Sequence, residues 1–204
     1  MMRINLLPIC LAGAYILNSG KCFAQDTVYK PVVINPIPKT SFAFTKHWAY
    51  AWYITKDDKG RISKAIDGEI TKADKAHLYF TADCKTNVQG GYNIRYCYAN
   101  KKPDGTILLT FRDGEPAYSN SFKANIGNRQ FNFEPEIVSP MLVAGQKTTY
   151  RVTQQKLVLH QKEYATAKVI SGYIDVEFSE VITEGGKTAK HPLYLRGYFK
   201  TPVN

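Results

Sequence analysis

Asp175 and Glu177 stand two residues apart in the run Tyr173-Ile174-Asp175-Val176-Glu177-Phe178. On a strand that spacing puts both carboxyls on one face, about 7 Å apart. Paired carboxylates are the working groups of glycoside hydrolysis, so one chemistry open to this chain is that of a small secreted carbohydrate-active hydrolase or lyase. Trp48, Tyr50 and Trp52 offer a second. Alternating on one strand, their rings would form a flat ligand-binding platform against which a sugar ring stacks. Phe42 and Phe44 share the same parity, so the stronger reading of this face is a wall of the core. Cys84 and Cys97 are the third group. Lacking the C-x-x-C spacing of redox and zinc sites, they are expected to form a structural disulfide, a staple worth on the order of 3 kcal/mol over so short a loop.

Metal and cofactor chemistry has less to work with. His47, His77, His160 and His191 are isolated, with no His-x-His and no His-Glu-x-x-His, and no metal site is expected. Asp67-Gly68-Glu69 and Asp113-Gly114-Glu115 read as acidic turns that do not continue into a calcium loop. Nucleophile elbows, phosphate-cradling glycine loops and dinucleotide fingerprints are missing, so no cofactor is expected and no catalytic residue is assigned. The run 173–178 resembles the Glu-Ile-Asp-Ile-Glu-Phe strand of the jelly-roll glucanases over these six residues. That resemblance implies a nucleophile at the first position, where this chain carries Tyr173.

The amino terminus sets the compartment in which any of this would happen. Residues 1–24 read as a cleaved signal peptide: Arg3 is the basic start, 4–17 the apolar stretch, and Ala24 stands at the cleavage position. The stretch is broken by Pro8 and falls short of the roughly twenty residues a membrane-spanning helix needs. The expected localisation is therefore secreted or periplasmic. A lipid-anchored outer-membrane form through Cys22 is the alternative, against which Lys21 stands immediately before the cysteine. No later segment is apolar enough to span a membrane.

The chain carries 27 basic and 17 acidic side chains, a net charge of +10. The leader holds Arg3 and Lys21 and no acid, leaving 25 basic against 17 acidic residues and a net +8. Acids thread the densest basic portion, residues 46–75, so there is no polybasic run. No nucleic-acid module accompanies the charge, which excludes DNA and RNA as expected partners. A solvated basic surface, with weak attraction to anionic glycans or headgroups, remains.

Pro31, Pro36 and Pro38 make 25–40 an extended lead-in rather than a regular element. From 41 onward, period-two alternation predicts strands over 42–54, 76–84, 92–99, 106–112, 148–160, 164–182 and 191–200. Glycine-bearing turns lie at 89–91, 103–105 and 184–187. Residues 135–145 read as a connection between two halves of the sheet. Together these predict an all-β, single-domain antiparallel β-sandwich over 41–204, with a closed β-barrel as the alternative. The leading functional expectation is an exported, non-enzymatic binding protein of the bacterial envelope or extracellular space that recognises a glycan or an envelope protein. An enzyme inhibitor or immunity-type protein is a further alternative, presenting the loop 85–91.

Overall fold

Apolar residues alternating with polar ones build two facing sheets. The computed structural model describes residues 28–113, 120–138 and 143–204. The leader 1–24, Gly114 and Glu115 of one acidic turn, and 139–142 within the expected connection lie outside the described residues. In chain order the strands are β1 (Lys30–Pro31), β2 (Val33–Ile34), β3 (Trp48–Ala49), β4 (Ile54–Lys56), β5 (Ile62–Lys64), β6 (Leu78–Tyr79), β7 (Ala82–Thr86) and β8 (Tyr92–Ile94). There follow β9 (Tyr96–Lys101), β10 (Ile107–Arg112), β11 (Ser121–Gly127), β12 (Gln130–Glu136), β13 (Lys147–Leu159), β14 (Val169–Glu184) and β15 (Lys187–Pro202).

One sheet has the order β1-β12-β11-β10-β9 and the other β2-β13-β14-β15-β7-β8. Neither closes on itself, so the fold is an all-β sandwich and the barrel alternative falls. In β14, Ile170, Ile174, Val176 and Phe178 face inward while Tyr173, Asp175 and Glu177 face outward, the alternation a half-buried strand requires. The β14–β15 hairpin turns on Gly185 and Gly186, at φ +55° and +77°. Two left-handed residues are what the twist-matched two-residue turn demands. Aromatic rings lock the sheets together: Phe111 meets Phe199 edge-on at 5.3 Å, and Phe178 meets Phe122 at 6.2 Å and Phe133 at 5.8 Å. Each fully buried ring contributes roughly 1.5–3 kcal/mol by leaving water.

The Pro-rich lead-in is more regular than expected. β1 pairs antiparallel with β12, and β2 pairs parallel with β13, so this short segment braces an edge of each sheet. Pro31 is tolerated because an edge strand leaves one side of its backbone unpaired.

A single strand over 42–54 does not form. Residues Lys39–Lys46 instead wind into 3-10 turns, held by His47 N–H donating to Phe44 O at 2.9 Å and Thr45 Oγ1 donating to Phe42 O at 2.9 Å. Phe42 lies edge-on against Tyr198 of β15, and Phe44 is buried. The aromatics at even positions satisfy themselves by capping the outer face of β15 and by pairing with one another, so their parity is not the parity of a strand.

The expected phase also breaks at Arg95. Ile94 and Cys97 both point into the core although they are three residues apart, because the chain crosses there from the six-stranded to the five-stranded sheet. Arg95 O accepts hydrogen bonds from Thr81 N–H and Ala82 N–H at this corner. Beyond the lead-in, two strands of the sandwich, β11 and β12, lie where no strand was expected. Their signal was present in Phe122, Ala124 and Ile126, then Phe131 and Phe133, separated by the turn at Asn128-Arg129.

The expected disulfide is not formed. Cys84 and Cys97 are free thiols, both fully buried. Cys84 sits on β7, opposite Gly197 and Ile94, whereas the crossing at Arg95 carries Cys97 into the other sheet, opposite Phe111. Each packs as a small apolar core residue, and burial pushes both thiols well above the ordinary cysteine range. Native protein is expected to resist iodoacetamide at both positions and to be alkylated at both once unfolded. Peptide mass mapping checks this, and a cross-linked or natively modified pair refutes it.

Candidate functional site

Between the 3-10 turns and β7 the chain leaves the sandwich and builds two small ladders. β3 pairs with β6, with Trp48 opposite Tyr79, and β4 pairs with β5, with Ile54 opposite Lys64. The β4–β5 hairpin is closed by Asp57, whose Oδ1 accepts from Lys59 N–H and Arg61 N–H while Oδ2 takes Arg61 Nε at 2.7 Å. Ile54 is the apolar anchor.

A polar anchor stands beside it. The buried Asp74 Oδ2 accepts from Thr71 N–H at 2.7 Å, Thr71 Oγ1 at 2.9 Å and Lys64 Nζ at 3.1 Å. These donors, the Thr71 backbone N–H foremost, hold its carboxyl well below the usual carboxylate range. Its contact with Tyr53 pushes the phenol up in turn. The loop 65–76 is thus pinned by a satisfied charge, and it delivers His77 to β3.

What this scaffold presents is a cluster of rings. Trp48 and His77 stack with centroids 3.5 Å apart and planes 8° from parallel. Tyr50 stands edge-on to both, at 5.2 Å from Trp48 and 5.7 Å from His77, and Tyr79 approaches His77 at 6.5 Å. The cluster faces outward: Trp48 is 40% exposed and Tyr79 57% exposed. Aromatic pairs of this kind contribute about 0.5–1.5 kcal/mol beyond the area they bury, enough to hold the rings in a fixed arrangement on a small ladder.

Of the three aromatic residues singled out from the sequence, Trp48 and Tyr50 come together. Trp52, 49% exposed, turns aside to pair with Tyr53 at 5.5 Å. All three lie at the surface to some degree, so the core-wall reading of this face does not hold for them. His77 and Tyr79 were missed. They come from a distant strand, and their only local signal was the alternation of His77 and Tyr79 around Leu78.

Asp175 and Glu177 occupy the outer face of β14, where Arg196 of β15 spans them. Arg196 Nε lies 3.4 Å from Asp175 Oδ1 and Nη2 lies 3.1 Å from Glu177 Oε1, with the guanidinium 4.7 Å from the Tyr194 ring. Both carboxylates are thereby engaged with one cation on a sheet face, and neither lines either of the clefts of ≈ 540 and ≈ 520 Å³ at the sandwich end. Among the described residues no three His, Cys, Asp or Glu gather as metal ligands, and no helix is long and apolar enough to cross a membrane. No family model, curated protein or solved structure matches this chain.

Proposed function

We propose that this protein is an exported, non-enzymatic binding module of the bacterial envelope or extracellular space, and that the Trp48–His77 stack with Tyr50 and Tyr79 holds a glycan. One observation carries the reading: a preassembled set of rings, one of them an indole, left open to solvent on a scaffold that a buried Asp74 fixes in place. Sugar rings present flat C–H faces to such a platform and hydroxyls to its edges, where Tyr50 and Tyr79 offer phenols. An exposed aromatic patch gains little from staying wet, and rigid rings give contact area at low entropic cost. The leader-like residues 1–24 support export.

The test is a glycan array followed by calorimetry on the best hit. Trp48→Ala and His77→Ala are each expected to weaken binding about tenfold or more, in keeping with an aromatic anchor, while stability falls only by the lost ring contacts, about 0.5–1.5 kcal/mol for each pair, and the fold is kept. An array without hits, or glycan binding unchanged in both variants, ends the proposal.

A further inference from the structure

The cleft of ≈ 540 Å³ opens at the end of the sandwich where the β9–β10 and β11–β12 turns meet the loop after β13. Its floor is the core itself: Ile107, Leu159 and Tyr164 are buried residues of the main apolar cluster. Val32, Ile34 and Ile126 line its walls. The floor and the walls named here are thus aliphatic apart from Tyr164, whose hydroxyl accepts a hydrogen bond from Gln161 N–H at 2.9 Å, and Asn128 adds a polar side chain to the lining.

The rim is cationic. Lys101 donates to Tyr164 O at 3.3 Å, whereas Arg129 and Lys162 make no side-chain hydrogen bond or ion pair among the described residues. Glu163 is the one acid on the rim, leaving cations in excess.

Arg129 is also where local preference is overridden. The turn Asn128-Arg129 has φ +51° and +59°, between Gly127 and Gln130 in paired register. Its second position is one where glycine is the usual residue. A bulky side chain held in left-handed backbone is strained, and such strain gathers at functional positions. The strain places an uncommitted guanidinium at the mouth of an aliphatic cleft.

We propose that this cleft binds a free medium-chain fatty acid, with its chain against the aliphatic floor and its carboxylate on Arg129 and Lys162. The volume falls within the range of small-molecule sites, about 300–1,000 Å³. A planar carboxylate matches the two parallel donors of a guanidinium. The aliphatic floor and wall favour a flexible chain over a sugar or a nucleotide, whose polar groups would meet Ile107, Ile126 and Leu159 there.

The proposal is tested by titrating the purified protein with dodecanoate, dodecyl maltoside and dodecyltrimethylammonium, each below its micelle concentration. Dodecanoate is expected to bind saturably at one site, and the neutral and cationic probes about tenfold or more weaker, because they forfeit a charge-assisted hydrogen bond. Arg129→Gly is expected to weaken dodecanoate by a similar factor while its unfolding temperature stays level or rises, since glycine relieves the left-handed strain. Lys162→Ala is expected to weaken binding without a loss of stability. Trp48→Ala is expected to leave dodecanoate affinity unchanged, which separates this site from the aromatic cluster. Absence of saturable binding, equal affinity for the cationic probe, unchanged affinity in Arg129→Gly, or loss of binding in Trp48→Ala overturns the assignment.

Discussion

Replacing Phe178 with Ala is expected to destabilise the protein by about 3–5 kcal/mol, measured as a shift in the denaturant midpoint at unchanged slope. Phe178 is 1% exposed and stands at the centre of the sandwich, facing Phe122, Phe133 and Tyr150 with ring centroids 6.2, 5.8 and 6.4 Å away. Truncation removes the transfer free energy of a whole ring and leaves a cavity between two sheets. The flanking register holds Val152 and Leu193 opposite position 178, so the strands cannot close over the gap without breaking their ladders. Against a typical total of about 5–15 kcal/mol, a loss of this size threatens folding outright. Phe178→Leu, which keeps most of the volume, is expected to recover more than half of the loss. A cost under about 1 kcal/mol for Phe178→Ala would mean that the sheets do not meet at this ring.

Gly197→Ala is expected to cost about 3 kcal/mol, through backbone rather than cavity. Gly197 lies mid-strand in β15 at φ +151°, opposite Cys84 of β7. A Cβ there would fall inside contact distance of the Asp83 carbonyl oxygen and 2.5 Å from Cys84 Cα. Both obstacles are main chain, which has no rotamer by which to yield. The added methyl therefore has to push β7 away from β15, loosening the pairs Tyr198–Asp83 and Arg196–Lys85 on either side. Thermal unfolding should register a fall of roughly 6–12 °C for a domain of this size, and hydrogen exchange should locate the loss in β7 and β8. A variant that matched the parent in both measurements would show that the two strands are not in this close register.

The two substitutions probe different kinds of information. Phe178 belongs to an alternation visible along β14, where inward Ile174, Val176 and Phe178 interleave with outward Tyr173, Asp175 and Glu177. Gly197 shows nothing of its role locally. Its requirement arises from β7, which meets β15 out of chain order, between the hairpin β14–β15 and β8. The same division runs through the candidate site. The open indole and phenol of Trp48 and Tyr50 were legible as residue types, while their partners His77 and Tyr79 arrive through a ladder closed by distant residues. For Asp175 and Glu177, the common face was legible and the intervening Arg196 was not.

Fold class was written locally, because a strand's two faces repeat every second residue and the turns between strands need left-handed residues such as Gly185 and Gly186. An amphipathic period and a turn are properties of consecutive residues, so the chain alone determined an all-β antiparallel architecture, while the choice of open sandwich over closed barrel came with the strand order. Which thiol faces which strand, which rings gather at the surface, and where an aliphatic cleft meets Arg129 and Lys162 were decided by the tertiary structure. The physical reason is the crossing at Arg95 together with the 3-10 turns at Lys39–Lys46. There burial and hydrogen bonding against remote strands outweighed the parity of the neighbouring residues, and that parity ceased to tell inside from outside.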